Sequence, residues 1–204
     1  MSKRVIRSEA DDTTRERILK AAMLRFSAHS YEETGLRDIA ADAKVDMAYV
    51  HRCFGSKEKL FYEAVKATFQ PERVFVGETR DLPSILAKDV LTDRGKDEIR
   101  SLDIAIRSLS SPDASRVLRE LMMEDFVGPL MCKHDGMSEK RAAVIAALLG
   151  GVGVLRDVIG AAALQEEEGG ELERIITNVI ASLLDGEPDS ESRETISPSM
   201  RKSD

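Results

Sequence analysis

The chain has 204 residues, 42% of them hydrophobic and 33% charged, with a formal net charge of −7. This composition suits a folded chain with enough residues for a real core, and it excludes a disordered or collagen-like polymer. The longest apolar run, over 142–155, is interrupted by glycines and too short to span a bilayer, so no membrane partner is expected. The basic start of the chain leads into no apolar stretch, which argues against a signal peptide and for a cytoplasmic protein. Cys53 and Cys132 supply neither a disulfide framework nor a zinc ligand set and read as reduced thiols. The acidity is uneven: residues 1–70 hold 13 Lys+Arg against 11 Asp+Glu, whereas residues 71–204 hold 17 against 26. A small positive excess gathered on one face is enough to bind phosphates.

In chain order, residues 1–12 are polar and read as a flexible arm. Thr13 and Glu16 have capping-box spacing and predict a helix start. Leu19, Ala22, Met23 and Phe26 then give that helix one apolar face. A second helix is expected from about Gly35, capped by Thr34, with Leu36, Ile39, Ala40 and Ala43 inward. A third follows Asp46 and carries Val50 and Phe54 at i, i+4. Gly55-Ser56 ends it, and a fourth helix runs to about Phe69, stopped by Pro71. Further helices are predicted near 83–91, 96–109, 113–126, 138–159 and 171–184, separated at Ser111-Pro112, Gly128-Pro129, His134-Asp135-Gly136 and Gly169-Gly170. No run has β-type alternation, so the fold class is all-α. The polar stretch 186–204 reads as a disordered tail.

Residues 36–55 meet the demands of a helix-turn-helix. Ala40 is small where two helices would cross, Val45 plugs the turn, and Val50 and Phe54 face inward. That leaves Met47, Ala48, Tyr49, His51 and Arg52 on the outer face of the second helix, free to enter a major groove about 12 Å wide.

The stretch from Thr14 to Val65 resembles the DNA-binding domain of the tetracycline-repressor (TetR) family. The resemblance rests on Arg17-Ile18-Leu19-Lys20-Ala21-Ala22 with Phe26, on Tyr31-Glu32-Glu33-Thr34, and on Arg37-Asp38-Ile39-Ala40. It continues through Ala43-Lys44-Val45 and Val50-His51-Arg52-Cys53-Phe54-Gly55-Ser56-Lys57-Glu58-Lys59-Leu60. It implies base contacts by Arg37, Met47, Ala48, Tyr49 and Arg52, and phosphate contacts by Thr34, His51 and Lys57. Lys44 and Ser30 stand where the family usually has glycine, and His51 and Cys53 also depart from its pattern. The expected organisation is an arm (1–12), a DNA-binding domain (13–57), a helical effector-binding and dimerisation domain (58–185) and a tail.

In the C-terminal part, Ala146, Gly150, Gly153 and Gly160 fall on one helical stripe. A helical glycine costs about 1 kcal/mol against alanine, so the stripe implies close packing. It is read as a dimer interface shared with the helix over 171–184, the other reading being packing within one subunit. Ile106, Met122, Met123 and Phe126, with Ile104, Leu121 and Met131, are candidate walls of an effector pocket; ordinary core filling is the competing reading.

The three histidines have no metal-ligand spacing, and no phosphate loop or nucleophile constellation appears, so no cofactor, metal or enzymatic activity is expected. The acidic run Glu166-Glu167-Glu168 reads as a solvated turn, and Cys53 as a packed thiol before a redox switch. The leading expectation is a homodimeric repressor of double-stranded operator DNA, released by an unknown small-molecule effector. The alternative is an all-α protein–protein interaction module that no longer binds DNA.

Overall fold

The computed structural model describes residues 9–69, 74–75, 78–93, 95, 99–165 and 170–186. Among them there is no strand. The helices are α1 (Glu9–Ala28), α2 (Leu36–Asp42), α3 (Met47–Phe54), α4 (Lys57–Phe69), α5 (Leu82–Leu91), α6 (Ser101–Ser108), α7 (Pro112–Met122), α8 (Gly128–Lys133), α9 (Glu139–Gly153) and α10 (Glu171–Asp185). Much of the proposed tail, most of the arm, and the acidic run at 166–168 lie outside the described residues.

Helix α1 begins at Glu9, so Thr13 sits inside it and does not cap it; the expected arm is correspondingly shorter. Gly35, not Thr34, caps α2, and its amide donates to the Asp38 carboxylate at 3.1 Å. Asp46 caps α3 as expected, accepting from the Ala48 amide at 2.7 Å. Arg25 at the end of α1 grips Asp42 at the end of α2 through two nitrogens, at 2.5 and 3.0 Å.

Between α2 and α3 the chain turns through Lys44, which holds a left-handed φ of 54°. A side chain in that conformation costs about 1 kcal/mol or more, which glycine avoids. Lys44→Gly is therefore expected to raise stability by about 0.5–1 kcal/mol, read as a higher urea midpoint with an unchanged slope.

Two apolar cores form. The first joins Ile18, Ala22 and Phe26 of α1 to Ile39, Val50 and Phe54, and to Leu60, Phe61 and Ala64 of α4. It is closed by Ile104 of α6 and by Ala114, Val117 and Leu121 of α7. The expected boundary after residue 57 thus falls inside a shared core. The second joins Leu82, Leu86 and Leu91 of α5 to Phe126, Val127, Leu130, Ile145, Ile176 and Ile180.

The expected break at Gly128-Pro129 is absent, because the chain stays helical through it. Pro129 has no amide to donate to the Asp125 carbonyl, and its ring would clash there in a regular α-helix. The backbone widens instead into a π turn, Met123–Val127, in which the Gly128 amide donates to Met123. A Cβ on Gly128 would lie 3.0 Å from the Met123 carbonyl oxygen. A second π turn, Val154–Val158, follows α9. It is terminated by Gly160 at φ 73°, with the Ala161 amide returning to Leu155 O at 2.9 Å. That bond reaches one residue further back than the six-to-one bond of a Schellman closure, as suits the end of a widened π turn, and the left-handed glycine permits it.

Candidate nucleic-acid interface and ligand cavity

Helix α3 is held by its inner face. Val50 and Phe54 are 1% and 6% exposed, and the Arg15 guanidinium covers the Phe54 ring at 4.6 Å. With the helix fixed from behind, its outer face stays open: Ala48, His51 and Arg52 are exposed, and Met47 and Tyr49 are half-buried. The Arg52 guanidinium lies 4.6 Å from the Tyr49 ring centroid, which pre-orders both side chains on the open surface. His51 Nδ1 lies 3.0 Å from Gly55 O. Arg37 is exposed on α2. Arg17 of α1, not singled out from the sequence, borders the same hollow as Ala48, Tyr49 and Arg52. Only a three-dimensional path brings it there, since it lies about thirty residues from α3 in the chain.

One expected phosphate contact is corrected, and a second has a neighbour within the chain. Thr34 is 1% exposed, and its hydroxyl donates to Ser30 O at 3.0 Å, so its side chain presents nothing to a duplex. Lys57 is half-buried, with its ammonium 4.1 Å from the Tyr31 ring centroid. Burial pushes its pKa down, while burial and then Glu58 push the Tyr31 phenol up to about 12. The Lys57 ammonium thus packs on the Tyr31 ring as well as standing at the start of α4.

Between α4, α5, α6, α7 and α9 lies a cavity of about 490 Å³. Val65 and Phe69 of α4, Leu118, Leu121 and Met122 of α7, and Phe126 of the first π turn form apolar wall. Asp89 and Thr92 at the end of α5, Arg100 and Ser101 at the start of α6, and Asp157 of the second π turn supply its polar groups. Of the expected pocket residues, Leu121, Met122 and Phe126 line it. Ile106 and Met123 do not: Ile106 is half-buried elsewhere and Met123 packs against the second core. Ile104 is buried in the first core and Met131 is exposed away from the cavity.

Of the small-residue stripe, Ala146, Gly150 and Gly153 line this cavity. A Cβ on Gly153 would meet Leu102 Cδ2 at 3.0 Å, so this glycine admits α6. Gly150 faces open space. The spacing that aligned these residues was correct, but periodicity does not say which neighbour a stripe faces.

Helix α4 joins the two regions. Glu58, Tyr62 and Lys66, at i, i+4 and i+8, grip Arg116 of α7 at 2.6 Å, Glu124 at 2.8 Å and Asp125 at 3.1 Å. The last two partners belong to the π turn that carries the cavity residue Phe126. Asp125 is 8% exposed and its Oδ2 has no hydrogen-bond partner. Removing Lys66 would leave both carboxylate oxygens unmatched. Lys66→Met is expected to cost about 1–3 kcal/mol, above the roughly 0–1 kcal/mol of an ordinary surface pair. The hydrogen bond to Asp125, then that to Tyr62, raises the Lys66 pKa above its ordinary 10.5. A raised folded-state pKa gives a contribution that is full below 10.5 and fades as pH climbs through the higher value. Urea titrations at pH 7 and above pH 11 check this: the difference between the native and Lys66→Met proteins should shrink at the higher pH.

Residues 18–64 match the description "Bacterial regulatory proteins, tetR family", and residues 81–184 match "Tetracyclin repressor-like, C-terminal domain". The chain belongs to the TetR family. As a TetR-family protein it is a DNA-binding transcriptional regulator and not an enzyme. No curated protein matches the sequence. Among solved structures, a TetR-family regulator from Streptomyces coelicolor A3 shares 22% identity over 89% of this chain and 99% of its own, with a TM-score of 0.61. NalD, the secondary repressor of the MexAB-OprM multidrug efflux pump in Pseudomonas aeruginosa, shares 20% identity over 88% and 98%, with a TM-score of 0.58. The multidrug binding protein EbrR complexed with proflavin shares 20% identity over 83% and 99%, with a TM-score of 0.54. At these identities the likeness carries the fold. Among the described residues of this TetR-family chain, no group of His, Cys, Asp and Glu could hold a metal ion, and no helix is long and apolar enough to cross a membrane.

Proposed function

We propose that this regulator is a cytoplasmic homodimeric repressor that reads a two-fold symmetric operator with α3 and leaves it when a small molecule occupies the cavity. The observation that carries the reading is the division of α3: Val50 and Phe54 are sunk in the core, while Ala48, His51 and Arg52 stay open. Met47, Ala48, Tyr49 and Arg52, with Arg37 from α2, are the base readers. His51 and Arg17 face the phosphates. Two copies of α3 would sit about 34–36 Å apart, one turn of DNA.

Dimerisation is supported by exposed apolar side chains on α9, just beyond it and on α10. Val144 of α9, Leu155, Val158 and Ile159 beyond it, and Ile175 and Val179 of α10 are 40–65% exposed. Exposed apolar groups mark association surfaces where they form a patch. Arg141 of α9 donates to the Leu183 and Leu184 carbonyls at 3.2 and 3.3 Å, bracing α10 against α9.

The effector role is supported by the cavity and by the grip of α4 on the π turn beside it. EbrR is seen with proflavin in its structure, and the fold is shared. An effector moves DNA binding only by its differential affinity for the two states.

The test is a mobility-shift assay with the DNA upstream of the protein's own gene at two salt concentrations. A sequence-preferring, salt-sensitive complex is expected. Its absence would favour the interaction-module reading. Arg37→Ala should lose about 1–3 kcal/mol of discrimination at one position per half-site. Arg17→Ala should weaken all sequences alike and lower the salt slope by about one.

A further inference from the structure

We propose that the cavity selects an uncharged ligand with an apolar body and one hydrogen-bonding head, and discriminates against cations and anions of the same shape. This rests on the effector reading above and names the chemical class of the effector.

Among the described residues, the Arg100 and Asp157 side chains of the cavity wall are matched to each other and to their neighbours. Arg100 donates to Asp103 through Nη2 at 2.9 Å and Nε at 3.1 Å, and pairs through Nη1 with Asp157 Oδ2 at 2.8 Å. Asp157 uses its other oxygen on Arg156 Nη1 at 3.1 Å. Asp89 also makes an interaction of its own. Arg100, Arg156, Asp103 and Asp157 thus form a network with two positive and two negative charges, in which only the buried Nε of Arg156, a residue outside the cavity wall, has no hydrogen-bond partner. An ionic head would have to break one of these pairs and would strand the partner in a partly buried site. A neutral hydroxyl or carbonyl needs no such exchange. It can use Ser101, or the oxygen of Thr92, whose hydroxyl proton goes to Lys88 O at 2.8 Å.

The way in points to the same class. Leu109 and Met122 line the cavity and are 60% and 40% exposed, so the large side chains of its wall that reach solvent most are apolar. A charged molecule would shed water against a surface that returns no hydrogen bond. The volume of about 490 Å³ lies within the roughly 300–1,000 Å³ typical of small-ligand pockets.

Three probes with one ring body separate the possibilities: 2-naphthylmethanol (neutral), 2-naphthoate (anion) and 2-naphthylmethylammonium (cation). Binding to the full-length protein is read by calorimetry, with no DNA present. The alcohol is expected to bind at least about tenfold tighter than either ion, a gap of about 1.4 kcal/mol. Equal or tighter binding of an ion overturns the inference and leaves the effector reading standing. No binding by any probe up to its solubility limit overturns both, while the DNA assay judges the repressor reading separately. Two variants guard against misreading. Gly150→Leu projects a side chain into open space and should abolish binding of the alcohol with helicity unchanged. Asp157→Asn releases Arg100 and Arg156 from one negative partner. It should shift selectivity toward 2-naphthoate at least about fivefold relative to the alcohol, a change that simple loss of structure does not produce. Unaltered selectivity in that variant overturns the role given to the network.

Discussion

Phe61→Ala is expected to destabilise the protein by about 3–5 kcal/mol, the range for removing a fully buried aromatic ring. Phe61 is 0% exposed, and its ring meets Phe26 edge-on at 4.9 Å and Tyr31 at 5.1 Å. Such pairs add about 0.5–1.5 kcal/mol beyond area burial. Against a typical total of about 5–15 kcal/mol, the loss is a large share of all stability. Because Phe61 belongs to α4 while its partners hold α1 and the turn after it, the damage should reach α3 and operator affinity. Phe61→Leu, which keeps much of the volume, should lose markedly less. Urea denaturation of both variants checks this; a loss below about 1 kcal/mol for Phe61→Ala would mean that the site collapses around the hole.

The paired substitution Ile175→Asp with Val179→Asp is expected to convert the proposed homodimer to a monomer and to weaken operator binding about a hundredfold or more. The two side chains stand four residues apart on α10, 50% and 40% exposed. Replacing exposed apolar groups by carboxylates costs a single chain little, whereas a close two-fold interface would bring four like charges together. The DNA effect follows because the second half-site is then no longer reached at high effective concentration. Sedimentation equilibrium reads the first outcome, a shift assay the second, and circular dichroism checks that the helices persist. A dimer that survives both changes would place the interface elsewhere.

The helical order and the open face of α3 were legible in the sequence because they depend on local spacing. Val50 and Phe54 at i, i+4 name the inner face, and the outer face follows by exclusion. The left-handed turn at Lys44 was also marked, by the usual glycine at that position. What was missed depends on neighbours distant in the chain. Thr34 looked like a cap, but its hydroxyl turns back to Ser30. Lys57 at a helix start looked free for an anion, but the Tyr31 ring lies beneath it. Gly128-Pro129 read as a break, although a π turn carries the helix through. The glycine stripe had the right period, but periodicity did not reveal the cavity that three of its residues line. Ile106 and Met123 have the chemistry of a pocket wall without the position.

The first core has a practical consequence for protein engineering. Its lid is made by Ile104, Ala114, Val117 and Leu121, which arrive at least forty residues after the last turn of α3. A reading head cut out near residue 57, or spliced there onto a relative's sensor, would lose those side chains together with Leu60 and Phe61 of α4, and expose Ile18, Phe26 and Phe54. Working hybrids should need α4, α6 and α7 from the same parent, and among natural relatives these three helices should drift in concert.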